Sequence, residues 1–410
     1  MGAEEEKTRR PTTQPSGRGN IAAATRRVLA VTALGNFASS LFVRAIDPMI
    51  PQVALDLVTD PATVALLTTA FALPYAVLQP VLGPLADMIG KTRLMTICLG
   101  ALVINGFVGA AAPSFQILMA SRIATGIAAG GIFPTALAVA GDLVPIHQRQ
   151  VAISRLLAAG MLGNLLGIPM AGILGDLVGW RFVLAVVGFL CMATFIAAMI
   201  GFRGIAARPG SGFDPAAVVT GYRTIFRNPL AKYCFGAVMI EGVFVMGIFP
   251  YVALLLRANG EPRATIAGVV IAGFALGGVI YSASVSRLLP RIGERGLILG
   301  GAAFMGVAML AVALPASWPV EMVKFLFLGC GFYMMHGVIQ IYATELAPAA
   351  RGSAAALHSG FFCLGLAIGP VYFGYGLAHA GLVPTAALSA AVTFLTGYVC
   401  AKTLRRSRAV

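Results

Sequence analysis

GPLADMIGKTRLM, Gly83 to Met95, lies between two long apolar stretches and packs one acid, two bases and two glycines into a short turn. The acid is Asp87, the bases Lys91 and Arg93, and the glycines Gly83 and Gly90. A run so polar between two apolar runs reads as a tight connection between two membrane spans, placed where its polar groups escape lipid. Charges of both signs at fixed short spacing also suit a latch between helix ends. The fold follows from the stretches on either side.

Those stretches recur along the whole chain. Its 410 residues are 59% hydrophobic and 11% charged, which excludes a water-soluble globule. Runs long enough to cross ~30 Å of hydrocarbon predict twelve helices, at 27–50, 63–86, 94–112, 115–140, 151–175, 181–201, 231–255, 264–285, 296–315, 319–344, 353–377 and 384–401. The expectation is an all-α integral membrane protein. Lysines and arginines are placed unevenly: 23 of 29 fall on the side of the first connection and of both termini, counting those near a span end with its loop. Basic residues stay in the cytoplasm, so both termini are expected there, in a bacterial-type inner membrane. The net charge of +14 then faces anionic lipid, and no nucleic-acid partner is expected. Trp180 and Trp318 both fall at the outer ends of spans, where an indole suits the headgroup level.

The chain repeats itself. Gly163, Gly167, Gly172 and Gly179 recur 202 residues later as Gly365, Gly369, Gly374 and Gly381, and Arg149 recurs as Arg351. The expected division is an N-tail 1–26, a six-helix bundle 27–201, a cytoplasmic linker 202–229, a second bundle 230–402 and a C-tail 403–410. Parallel six-span repeats of this kind build transporters. In the linker, Asp214-Pro215 reads as a helix start, with Tyr222, Ile225 and Phe226 on one face and Arg223 and Arg227 free for headgroups. Gly273 and Gly277 in span 8, with the glycines of spans 5 and 11, are read either as bringing backbones together across the seam between halves or, for most of them, as ordinary packing residues.

The turn at Gly83, Asp87, Gly90, Lys91 and Arg93 resembles the loop signature between spans 2 and 3 of the major facilitator superfamily, matching at all five fixed positions. Ser121-Arg122-Ile-Ala-Thr-Gly126 is similar to the Arg-x-x-x-Gly signature of span 4. GNLLGIPMAG, Gly163 to Gly172, resembles the antiporter signature of span 5, although Ile168 stands where that signature has proline and Pro169 comes one place late. GILGDLVGWR, from Gly172, is typical of twelve-span drug–proton antiporters. The resemblance covers residues 28–401 and implies two pseudo-symmetric six-helix bundles around a central cavity, with alternating access. It also implies that Asp87, Lys91 and Asp142 form a charge network against the start of span 11, near Arg351, latching the cytoplasmic side. In the second half Ser286 and Pro290 replace the glycine and the acid of the loop signature, while Gly293 and its neighbouring arginines remain.

Charged groups within spans each cost at least ~2.5–3.5 kcal/mol to insert, so each needs a reason. There are four: Arg44 and Asp47 in span 1, Arg122 in span 4 and Glu241 in span 7. They either neutralise one another to hold the bundle together or make a proton switch, since burial favours a neutral carboxyl and a nearby arginine favours the carboxylate. The resemblance implies that Asp47, before Pro48, and Arg122 act as the switch. Glu241, near mid-depth, is expected to face the cavity as an acidic anchor for substrate or as a second proton site. Pairing with Arg44 or Arg122 is the alternative. Cavity candidates are Asn36, Arg44, Tyr75, Gln79, Asn164, Glu241, His336 and Gln340.

The expectation is a monomeric secondary transporter whose partners are a small-molecule substrate, protons and membrane lipid, with no cofactor and no metal. Export of a small organic molecule driven by proton influx comes first, and a proton symporter importing a small organic acid is the alternative. The six cysteines are scattered singly and show neither disulfide nor metal spacing. An enzyme would need a nucleophile or metal constellation that this sequence does not display.

Overall fold

The computed structural model describes residues 23–144, 146–203, 215–347 and 351–404. The expected tails up to 22 and from 405, the linker stretch 204–214 with its Asp214 cap, and the surroundings of Gly83 and the side chains of Asp87 and Arg351 lie outside what is described. Among the described residues, eleven helices are long and apolar enough to span a membrane. One of them, Ala264–Val312, has 49 residues, or ~74 Å at 1.5 Å per residue, more than twice the hydrocarbon thickness. Its helix breaks at Gly293, where φ is 67° and ψ 175°. It is therefore spans 8 and 9 joined by one residue, and the spans number twelve.

Gly90 makes the equivalent reversal between spans 2 and 3, at φ 93° and ψ 129°. Positive φ is open to glycine and strained for other residues. Gly179 and Gly381 do the same between spans 5 and 6 and spans 11 and 12, at φ 86° and 83°. Four of the five positive-φ glycines thus pair between the halves, so the repeat read from glycine spacing is a repeat of turns.

Spans 1 and 7 are interrupted. Span 1 runs as a helix from Ala23 to Arg44, passes through a 3-10 turn at Asp47–Met49 and continues as Ile50–Asp56. It extends beyond the expected end at 50 because Pro48 and Pro51 each occupy the first turn of a new helical segment, where a missing N–H costs nothing. Span 7 changes at Glu241–Val245 to a π turn and at Met246–Tyr251, which contains Pro250, to a 3-10 turn. Pro48 and Pro250 stand the same 202 residues apart as the repeated glycines. The buried carboxylates of these two spans, Asp47 and Glu241, are each the first residue of a non-α turn.

The packing of the glycines corrects one expectation. Gly163 and Gly167 meet Phe37 and Leu41 of span 1, Gly365 and Gly369 meet Gly242 and Gly247 of span 7, and Gly273 and Gly277 meet Met322 and Leu326 of span 10. These approaches lie inside each half rather than across the seam. Close backbone packing welds helices that move together, and a seam that must open is poorly served by it. Only Gly172, against Ala264, and Gly268, against Ile168 and Pro169, approach closely across the halves in this set.

Trp180 is a second correction. It is 4% exposed, and its indole N–H donates to Asp56 at 3.0 Å. Arg181 lies over its ring at 4.3 Å and pairs with the same carboxylate. An acid at the end of span 1 has recruited the indole, which is therefore not a headgroup anchor. In the linker a helix does form, Pro215–Arg227. Ile225 is fully buried, while Val219 and Phe226 stay exposed.

Candidate functional site

A cavity of about 260 Å³ lies between the halves. Spans 1, 2, 4 and 5 supply most of its wall, and span 11 closes it with Ser359, Phe362 and Cys363. Of the expected cavity residues, Asn36, Arg44, Tyr75 and Asn164 line it; Gln79, Glu241, His336 and Gln340 do not. Gln79 is buried and donates to the Gly130 carbonyl at 3.4 Å. Gln340 is exposed on span 10. Asn36 is held by donating to the Leu156 carbonyl at 2.8 Å, and Tyr75 stacks on Phe71 with ring centroids 6.0 Å apart. Arg44 is the one charged residue in the lining.

Asp47 sits behind Arg44 and is 1% exposed. Arg44 Nη1 donates to its Oδ2 at 3.0 Å, and Thr68 Oγ1 donates to its Oδ1 at 2.9 Å. The Arg44 guanidinium also lies 4.3 Å from the ring centre of Phe249 in span 7, a cation–π contact between the halves. Three residues apart on one helix, Arg44 and Asp47 meet as their spacing predicts. Arg122 is not the direct partner of Asp47. It donates to the carbonyls of Phe42 at 2.9 Å and Leu67 at 3.4 Å and lies 4.6 Å from the Phe71 ring centre. Its Nη2 has no partner. The guanidinium is near enough for its charge to act on Asp47 without touching it. The Phe42 carbonyl lies two residues before the end of the first helical segment of span 1, and the Leu67 carbonyl lies within span 2.

Glu241 is fully buried and pairs with neither arginine. Its Oε2 lies 2.7 Å from Nδ1 of His336 in span 10, and its Oε1 has no partner. The His336 ring stands 4.9 Å from that of His358 in span 11, whose Nε2 is also unpartnered. His358 is absent from the residues singled out by sequence, because a lone histidine on an apolar helix shows no spacing signal. The chain has only four histidines, and that scarcity was the one available hint.

On the side of the Gly90 turn, Lys91 pairs with Asp142 at 2.7 Å. This ties the start of span 3 to the end of span 4, one contact of the expected latch. The opposite side carries a contact that the sequence did not reveal. The Asp176 carboxylate, at the end of span 5, accepts from the backbone N–H of Ala264 at 2.9 Å and of Thr265 at 2.7 Å. Gln52 Nε2 donates to it at 3.2 Å. Asp176 thus caps the start of span 8 from the other half, satisfying amides that no helix turn can satisfy. Thr69 of span 2 donates to the Ala367 carbonyl of span 11 at 2.7 Å, a second tie between halves. Removing a capping group costs about 1 kcal/mol, a factor of about five in an equilibrium. Asp176→Ala is therefore expected to enlarge about fivefold the population open on this side. Spin labels at Leu177 and Asn259 report it as a longer distance, and an unchanged distance distribution would mean that the cap does not hold the gate.

Two repeated sets of six spans, a cavity between them and buried acids at helix breaks define a polytopic secondary transporter. The Major Facilitator Superfamily profile matches residues 32–370, and the chain belongs to that family, whose members are transporters and not enzymes. The chain is 25% identical over 336 residues to the quinolone resistance protein NorA of Staphylococcus aureus (strain MSSA476), covering 80% of this chain and 84% of that protein. It is 25% identical over 351 residues to YceJ, an uncharacterized MFS-type transporter of Bacillus subtilis (strain 168), covering 83% and 87%. In fold it is similar to the crystal structure of a D-xylose–proton symporter, with a TM-score of 0.75 at 16% identity over 93% of this chain and 98% of that one. It is also similar to a bacterial homolog of the human lysosomal transporter Spinster, with a TM-score of 0.71 at 17% identity over 93% and 96%.

Proposed function

We propose that the protein exports a small organic molecule across a bacterial inner membrane, driven by proton influx, with both termini in the cytoplasm. The observation that carries the coupling is Asp47, buried at the break of span 1, behind the cavity wall and held by Arg44 and Thr68. A proton arriving there neutralises the acid, loosens Arg44 and so changes both the cavity and the contact with Phe249. Arg122 supplies a fixed positive charge that favours release of the proton. Glu241 serves as a second proton site. Likeness to NorA supports export, and the Lys91–Asp142 pair is consistent with a latch on the cytoplasmic side.

Arg44 favours a second reading. It is the charged residue of the cavity lining, and a proton on Asp47 would free it for an anionic substrate. Proton and anion would then load together, as in a symporter importing an organic acid. Direction separates the two. A thermal-shift screen over cationic, neutral and anionic solutes selects a ligand, and vesicles of known orientation with an imposed pH gradient report its movement. Export predicts that the ligand moves against the proton flow; movement with the protons would replace this reading by the symporter.

A further inference from the structure

The geometry points to a proton relay in the second half, in which His336 and His358 carry the Glu241 proton to the central cavity. It rests on the reading of Glu241 as a proton site and adds the route. Glu241 Oε2 and His336 Nδ1 are 2.7 Å apart, the separation at which a carboxyl and an imidazole share one proton. With one proton between them the pair is neutral, which removes the cost of an unpaired buried carboxylate. Glu241 Oε1 and His358 Nε2 are both buried and unpartnered, so the cluster holds acceptor capacity that packing leaves unused.

The three residues lie at one depth. Glu241 is ten residues into span 7, His336 nine from the end of span 10 and His358 seven into span 11, or ~11–15 Å from the side of the Gly90 turn. Phe332 stacks on His336 at 4.6 Å between ring centres, and Phe362, which lines the cavity, stands 5.2 Å away from it. These rings keep the acid from the cavity, while Ser359, the residue after His358, lines it. The transfers balance. Nδ1 of His336 takes the proton from Glu241, the proton on its Nε2 leaves to His358 Nε2 once a ring rotation brings the two imidazoles, 4.9 Å apart between ring centres, into hydrogen-bond contact, and His358 passes one to cavity water beside Ser359. Another titratable group near the acid is Cys400 of span 12, which Cys234 of span 7 also approaches. Arg44 acts on Tyr333 and Cys363, and among the described residues no lysine or arginine pairs with Glu241. A π turn begins at Glu241, an irregularity that often marks functional positions in helices.

The test needs no substrate, so its failure is distinct from failure of export. The full chain in lipid vesicles is titrated by pH-difference infrared spectroscopy, reading the C=O band of protonated buried carboxyls. Glu241→Gln should remove one such band. His336→Asn should keep that band and move its titration midpoint by about one pH unit or more. His358→Gln should leave the midpoint and thermal stability in place while slowing the band's response to a pH jump by about tenfold or more. A band missing in the unaltered protein, a midpoint untouched by His336→Asn, or an unslowed response in His358→Gln would each overturn the relay. Cys400→Ser, which alters a neighbour outside the route, should leave the rate as it is.

Discussion

Asp47→Asn is expected to abolish transport driven by a pH gradient while leaving exchange of substrate for substrate partly intact. One proton entering down ~100 mV releases ~2.3 kcal/mol, enough to hold a neutral solute at a ratio of about fifty. Without a group that changes protonation that ratio falls to about one, whereas exchange needs no net proton movement. Asparagine fills the same space and can still accept from Thr68, so the cavity wall survives. Its loss of charge strands Arg44, and removing one partner of a buried ion pair costs ~3–5 kcal/mol. A stability effect must therefore be separated from a coupling effect. The double variant Arg44→Gln with Asp47→Asn should recover much of the thermal stability and none of the coupling. Gradient-driven accumulation that persists in Asp47→Asn would remove this residue from the proton path.

Gly329→Leu is expected to have the largest effect on folding. Spans 8 and 10 cross through a reciprocal contact, in which Gly329 faces the Phe274 carbonyl and Gly277 faces the Leu326 carbonyl. A Cβ at either position would meet backbone atoms, which cannot rotate away as a side chain can. Overpacking typically costs ~1–3 kcal/mol, and a backbone neighbour puts this case at about 3 kcal/mol or beyond. The expected result is loss of the monodisperse peak in detergent or a large fall in melting temperature. A methyl group added at Gly337, on the same helix, would meet nothing within 4 Å, and Gly337→Ala should leave the melting temperature unchanged or raise it. Equal behaviour of the two variants would show that the crossing does not depend on close approach.

How far the sequence could be read depended on the kind of signal. The spans were legible because lipid demands long apolar runs, and the boundary between spans 8 and 9, which the helix hides, was legible because the charged stretch 286–295 separates two such runs. Arg44 with Asp47 was legible from spacing on one helix. Partners on different helices were not: Thr68 and Phe249 at Asp47, His336 at Glu241, and the Asp176 cap on span 8 have no spacing in the chain that announces them. Arg122 was expected on Asp47, yet it binds carbonyls of spans 1 and 2, and the break of span 1 was itself marked only by two prolines. Most of the glycines pack inside one half, and of those singled out Gly172 meets the other half; a motif for close approach does not say which helix approaches.

The reversals at Gly90 and Gly293 have a mechanical consequence. Each joins two spans through one non-helical residue, leaving no slack between them. Span 2 packs on span 11 and span 8 on span 5 across the seam, while spans 3 and 9 present Ile97, Ile104, Phe304 and Val307 at the protein surface. A change in lateral pressure or bilayer thickness that shifts those surface spans is passed through a single glycine to the helices of the seam. The surrounding lipid is in this sense geared to the cavity.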